Sequence, residues 1–318
     1  MSVVDSLQIQ LFRAELKHVP SPVSTLLSSY SGIPEERHKE HITTVRNRAY
    51  KSYPYPCLGR WRFLDLDLSS HPLYQSDILP ALKKTSTESA SAGQPQPDWI
   101  LLDLGCCLGQ DIRKLIFDGG DPSRIHGADL RPEFIDTGYE LFQDEDKFPR
   151  SEHFVAPADV FDFSTESELS KRYDGKVGIL HTTAVFHLFN WDEQVQMAKR
   201  CLQLMTPKLG KVLICGGQVG NIEAKEQPRR SGKGTRFRHN DESWKRLWED
   251  VVQEQSVRDK IKTIEVHSFL EEINVDRFKE DREAMQGLSP GGDVDQRHIG
   301  NSFEGFRWQK WWIWVEFA

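Results

Sequence analysis

Three carboxylates fall where apolar segments of the chain end, at Asp103, Asp129 and Asp159. The first lies in Leu101-Leu102-Asp103-Leu104-Gly105-Cys106-Cys107-Leu108-Gly109, a buried-type run that passes directly into a turn bearing two glycines. Gly105 and Gly109 remove side chains where the chain must bend sharply, which lets a bound molecule approach the main chain. Gln110 to Phe117 then carries Ile112, Leu115 and Ile116 at helical spacing, so a helix opens at the turn with free N–H groups facing a ligand. Alone, Gly-x-x-x-Gly equally fits an ordinary strand-to-helix connection. Asp129 ends the segment that begins at Arg124, roughly 20 residues after the turn, where a carboxylate accepts hydrogen bonds from two ribose hydroxyls. It also fits as an N-cap for the helix opened by Pro132. Asp159, after Phe154 and Val155, suits the exocyclic amine of a purine or a simple turn. Gly-x-Gly-x-x-Gly is absent and Asp103 would repel a pyrophosphate, so a ligand with a positive end is favoured over a nicotinamide dinucleotide.

These motifs resemble the class I methyltransferases that use S-adenosyl-L-methionine. The resemblance implies a first cofactor motif over Asp103, Leu104, Gly105, Cys106 and Gly109, a ribose position at Asp129 with Leu130, and an adenine position at Asp159 with Val160. Cys107 departs from the family, which more often has glycine there. A narrower resemblance rests on Tyr30-Ser31-Gly32-Ile33-Pro34, His41-Ile42, Val45-Arg46, Ala49-Tyr50 and Pro54-Tyr55-Pro56-Cys57-Leu58-Gly59-Arg60-Trp61-Arg62-Phe63-Leu64. These are similar to the amino-terminal segment of fungal secondary-metabolite methyltransferases, including those of meroterpenoid pathways. That likeness implies O-methylation of a small polyketide or terpenoid-type intermediate, often a carboxylate converted to its methyl ester. Transfer to carbon or nitrogen, and a methyltransferase-like regulator without turnover, are the rival readings.

Methyl transfer is a one-step displacement, so its catalysis is mostly alignment and desolvation. A hydroxyl acceptor gains from a base near neutrality, whereas a carboxylate needs none. His181 to Phe189 comes after the fourth apolar segment and should border the methyl group. His187 is the candidate base or acceptor-orienting group, against the reading of a histidine bonded within its own turn. Thr182 is a candidate for the cofactor pocket, although threonine at a strand end is unremarkable. Tyr30 and Trp61 belong to an aromatic cluster suited to close over a ring-containing acceptor, and Arg46 and Arg62 to hold its carboxylate; docking and solvation explain the same residues. The basic run from Arg229 to His239 reads as a solvated loop or a mobile lid.

The elements that position these residues divide the chain into a helical cap with linker over 1–97 and a cofactor-binding domain over 98–318. Val3 to Leu16, Glu35 to Ser52 and Ile78 to Leu82 read as cap helices, and the polar, Ser-rich stretch Thr85 to Pro97 as a linker. Strands near 99–104, 124–129, 153–157, 176–182 and 210–216 alternate with helices over 109–117, 132–142 and 191–205. That alternation means a mainly parallel sheet covered on both faces. Asp241 to Glu254 reads as a further helix, and Thr263 to His267 and Trp308 to Phe317 as the last strands. The resemblance makes the sheet a Rossmann-like, seven-stranded α/β sheet with the final strand antiparallel. Core strand outweighs aromatic ligand platform for the tryptophan-rich end, and Ser289 to Gly292 reads as a turn.

Composition narrows the partners. A net charge of -7 argues against a surface that grips nucleic acid, and no apolar run approaches the roughly 18 residues that span a bilayer. The amino terminus lacks a signal-peptide core, so a cytoplasmic protein with a small-molecule substrate is expected, and a homodimer is compatible with the chain. Five cysteines without zinc-type spacing read as reduced thiols, with no metal.

Overall fold

The computed structural model describes residues 12–83, 99–229, 233–272 and 305–318. Its strands are β1 (Ile100–Leu104), β2 (Ile125–Ala128), β3 (Phe154–Val155), β4 (Val177–His181), β5 (Val212–Asn221), β6 (Lys225–Pro228), β7 (Thr235–Arg238), β8 (Ile261–Glu271) and β9 (Phe306–Phe317). Seven of them form the central sheet in the order β3-β2-β1-β4-β5-β9-β8, and β6 and β7 pair separately. The first five run parallel, and β9 enters antiparallel between β5 and β8. This is the seven-stranded arrangement expected from the resemblance. Every residue of β4 and all but the first of β1 are buried, as strands covered on both faces require. On β9 the side chains of Trp311, Ile313 and Val315 are fully buried while the residues between them are half-buried, so the tryptophan-rich end is core strand.

The main helices are α1 (Ser21–Ser29), α2 (His38–Ser52), α3 (Pro56–Gly59), α4 (Gln110–Phe117), α5 (Pro132–Phe142), α6 (Trp191–Leu204) and α7 (Asp241–Gln253). On one face of the sheet Phe186, Trp244, Trp248 and Trp311 pack with Leu180 and Ile214. On the other, Leu101, Ile112, Ile179 and Leu213 pack with Phe154. Each such side chain, fully buried, contributes about 1.5–3 kcal/mol relative to exposure. Asn190 and Glu193 form a capping box that starts α6 immediately after the His187 segment, which fixes where that segment ends.

The cap shares a core with the sheet domain. Leu26, Leu27, Ile42 and Leu58 pack against Leu108 of the glycine turn and Phe134 and Phe142 of α5. Gly138 makes that approach feasible, because a Cβ there would stand 2.4 Å from the Leu108 carbonyl oxygen. Arg113 and Asp144 form an ion pair at 2.9 Å beneath this contact, each side chain only 1% exposed.

The structure departs from the sequence reading in four places. Of the helix read over Val3 to Leu16, residues 12–16 are described and are not helical. The third strand is two residues long, because a helical turn over Arg150–His153 occupies its expected start; beyond it the chain turns at Asp159, whose side chain accepts from the Phe161 amide. Strand β5 continues to Asn221, and the basic run after it forms the antiparallel hairpin of β6 and β7 rather than a solvated loop. A π-helical turn over Tyr74–Ile78 precedes the short cap helix at Leu79–Leu82. Thr85 to Pro97 and Ser289 to Gly292 lie outside the described residues. Among the described residues no helix is long and apolar enough to cross a membrane.

Candidate active site

A cavity of about 460 Å³ opens beyond the carboxyl ends of β1, β2, β3 and β4 and is roofed by the cap segment from Tyr55 to Asp67. Its two ends carry opposite charge. At the first end stand Asp67, Asp103, Asp111 and Asp129; at the second, Arg236, Arg238 and His187, with Arg62 bordering the cavity from the cap.

The acidic end is built by strand register. Asp103 at the end of β1 pairs with His181 at the end of β4, and His181 Nδ1 donates to Asp103 Oδ1 at 2.8 Å. His181 Nε2 lies 2.9 Å from Thr183 Oγ1, which accepts the Gly217 amide. Asp111, in the first turn of α4, accepts the Leu68 amide of the cap at 2.8 Å. Burial, reinforced by the charges of Asp103 and Asp67, pushes the Asp111 carboxyl up to about 7 against the pull of His181. Burial also raises Asp67. It works against charge on His181, yet the Asp103 carboxylate, with Asp111 and Asp67, outweighs it and raises that imidazole above the ordinary histidine value.

Between this end and the rim, Gly105 holds a φ of +81°, and a Cβ there would meet the Val185 side chain at 2.4 Å. Only glycine leaves the main chain bare at that wall. Asp129 receives the Cys107 amide on Oδ2 and the Arg131 amide on Oδ1, both at 2.9 Å. Burial still raises it to about 6, partly offset by those two amides. Leu130, 45% exposed, and Val160 flank it on the cavity wall.

The second end is donor-rich and otherwise apolar, walled by Phe161, Phe189, Val219, Phe306 and Trp308. Backbone N–H of Val219 donates to His187 Nδ1 at 3.1 Å. In the neutral ring the proton therefore sits on Nε2. Burial, with Arg238, Arg236 and Arg62, drives the ionisation of His187 well below the usual histidine range. Arg238 donates to the His187 carbonyl, and Phe237 N–H donates to Phe189 O at 2.8 Å, so β7 is stitched onto the His187 segment. The Arg236 side chain makes no hydrogen bond or ion pair among the described residues, and its Nε is buried without a partner. A guanidinium in that state has donors left for an anion.

Placement of the sequence candidates is uneven. Asp103, Leu104, Gly105, Cys106, Asp129, Leu130, Asp159, Val160, His187 and Arg62 border the one cavity. Gly109 and Thr182 do not; Gly109 is the left-handed N-cap of α4, packed under Arg113 and Phe154, and Thr182 is buried at the end of β4. Tyr30, Arg46 and Trp61 also fall outside the lining. Tyr30 donates to Asp144 at 2.7 Å, and Arg46 is fully buried between the rings of Phe12 and Trp61, donating to Arg13 O and Ala14 O. Tyr30 thus ties the cap to the segment after α5, and Arg46 and Trp61 pack within the cap. Arg62 stacks on Trp308 at 4.2 Å and pairs with Asp65. The sequence reading did not single out Asp67 or Asp111, or the pairing of His181 with Asp103, and named Arg236 only as part of the basic run. The period-two spacing of Arg236 and Arg238 around Phe237 was the available signal for the hairpin. Among the described residues no cluster of three or more metal-ligating side chains occurs.

Residues 11–64 match the family model described as the meroterpenoid methyltransferase N-terminal domain. An O-methyltransferase, phiE, of a fungal species is 36% identical over 89% of this chain and 84% of its own length. The methyltransferase adrK of Penicillium roqueforti is 35% identical over 79% of this chain and 83% of its own. The methyltransferase trt5 of Aspergillus terreus is 34% identical over 80% and 85%.

Proposed function

Because the chain belongs to the fungal secondary-metabolite methyltransferases that these relatives represent, we propose that it transfers a methyl group from S-adenosylmethionine to the carboxylate of a small, largely apolar acid. The product is a methyl ester. When bound, S-adenosylmethionine supplies an electrophilic methyl on a sulfonium. The residues fit such a group: Asp103, Asp67 and Asp111 suit its ammonium end, bare backbone at Gly105 admits close approach, and Asp129 has lone pairs left for ribose hydroxyls. Leu130 and Val160 give apolar cover to a purine, with Asp159 at its edge.

The observation that carries the choice of acceptor is the state of His187. Its Nδ1 lone pair is taken by the Val219 amide, so the ring offers Nε2–H, a donor and not a base. A hydroxyl acceptor must lose a proton during transfer, and the side chains that gather at this end among the described residues are the guanidinium groups of Arg62, Arg236 and Arg238 and the N–H of His187. A carboxylate arrives ionised near neutral pH and asks for donors. Arg236 anchors one carboxylate oxygen and His187 Nε2–H restrains its orientation, leaving the second oxygen to attack. The phenylalanine and tryptophan walls take an apolar skeleton and exclude water. Ester formation cancels the acceptor's charge, so Arg236 holds product less firmly than substrate. An amine acceptor, cationic at neutral pH, would meet like charge.

Purified protein incubated with methyl-labelled S-adenosylmethionine and matched ring-bearing acids and primary alcohols tests the reading. Label is expected on the acids and released as methanol by mild alkali. Alkali-stable label, on an alcohol oxygen or on carbon, overturns it.

A further inference from the structure

We propose that His181 and the ammonium end of the methyl donor share the Asp103 carboxylate, so that capturing the donor drives a proton from the His181–Asp103 pair into solvent. The inference rests on the donor assignment made above and adds a cofactor-binding residue to it.

The geometry makes Asp103 a shared partner. Its side chain is 4% exposed and its Oδ1 is held by His181 Nδ1 at 2.8 Å. It nevertheless borders the cavity beside Gly105, so a cation entering there meets a carboxylate already engaged by an imidazole. The groups that face His181 come from every neighbouring element. Asp103 comes from β1, Asp111 from α4, Asp67 and His71 from the cap, Thr183 from the segment after β4, and Cys215 pairs with it across β5. Three carboxylates outweigh the second histidine, and they are what keeps a proton on a ring buried this deeply. A bound ammonium supplies the same neutralisation from the cavity side, and two cations so close together in a buried site repel. The imidazole is then better neutral.

Thr183 permits that change without moving the backbone. The Gly217 amide fixes its oxygen at 3.2 Å, while its hydroxyl hydrogen is free to turn. It accepts from Nε2 of the charged ring and donates to Nε2 of the neutral one. In the neutral state Nδ1–H still donates to Asp103, so one proton leaves Nε2 for buffer and no other bond is exchanged.

Titration calorimetry of the full chain at pH 7 in buffers of different ionisation enthalpy reads the proton directly. Binding of S-adenosylhomocysteine is expected to release a proton, and its affinity to rise with pH below the His181 ionisation and level off above it. 5′-Methylthioadenosine, which lacks the amino-acid end, is expected to bind with no release. The Asp111→Asn variant keeps the release and His181→Gln loses it. Because His181→Gln risks misfolding, the wild-type protein with labelled histidine supplies a second readout. The His181 ring resonances should move to the neutral position on adding S-adenosylhomocysteine at pH 7. Binding without proton release, release retained in His181→Gln, or an unmoved His181 resonance overturns the proposal. Failure of both compounds to bind is a separate result, which removes the donor assignment itself.

Discussion

The amide of Val219 on β5 donates to Nδ1 of His187 at 3.1 Å, and that bond decides what the histidine can do. With Nδ1 filled, burial and three nearby guanidinium groups hold the ring neutral with its proton on Nε2. Sequence position alone made His187 a base or an orienting group; the bond supports orientation.

His187→Gln, which keeps an N–H donor, should therefore retain kcat/KM within about tenfold, while His187→Phe loses about 10–100-fold, the worth of one hydrogen bond to a charged partner. Removal of a true general base would cost about 10²–10⁴-fold in both variants. Steady-state kinetics of the two, with a pH profile from 6 to 9 that lacks a His187 ionisation, distinguishes these outcomes.

Arg236→Gln should raise KM for an acidic acceptor by about 10–100-fold with a smaller effect on kcat, since the guanidinium binds the anion and takes no part in bond making. The same change should leave thermal stability unchanged or raised. The Arg236 side chain has no partner among the described residues, and burial together with Arg229 lowers its ionisation, so the folded chain gains little from its charge. A melting scan beside the kinetics reads both effects. A lower melting point with unaltered KM would assign Arg236 to structure.

Acid should weaken donor binding through Asp129. Burial raises this carboxyl to about 6 in the free protein, and hydrogen bonds from ribose hydroxyls favour its ionised form. This component of the affinity is thus lost as pH falls through about 6, toward tenfold per unit below it, and adds to the dependence carried by His181. Asp129→Asn should bind about 10–100-fold more weakly at pH 7.5 and lack this component, because its amide nitrogen would face either the Cys107 or the Arg131 N–H. Calorimetric titrations at pH 5.5, 6.5 and 7.5 check the sign.

Gly138→Ala should destabilise the protein by about 1–3 kcal/mol, the usual cost of overpacking. Its methyl group would sit 2.4 Å from the Leu108 carbonyl oxygen, so α5 must lift from the glycine turn. Chemical denaturation measures the first effect, and weaker S-adenosylhomocysteine binding the displacement of the turn.

Local pattern made much of this legible. Apolar runs of strand length, helical spacing in Ile112, Leu115 and Ile116, and period-two burial along Trp311, Ile313 and Val315 specify elements through their own neighbours in sequence. The cavity's charge arrangement depends on contacts between distant segments. Asp103 and His181 meet through strand register, and Asp67 and Asp111 converge because the cap folds over α4. Tyr30, Arg46 and Trp61 illustrate the reverse difficulty. An aromatic and basic cluster suits a ligand pocket or a buried cap core, and only packing shows that Arg46 lies between Phe12 and Trp61. The hairpin after β5 was hidden by its charge, since Arg236 and Arg238 turn inward on a strand whose composition resembles a solvated loop.

A crystal structure of the chain with S-adenosylhomocysteine bound tests the central claim, a cavity acidic at its donor end and basic at its acceptor end. The ribose hydroxyls are expected on Asp129, the ammonium group beside Asp103, and the sulfur directed toward His187 and Arg236. A nucleoside lodged at the Arg236 end, or outside this cavity, would contradict it.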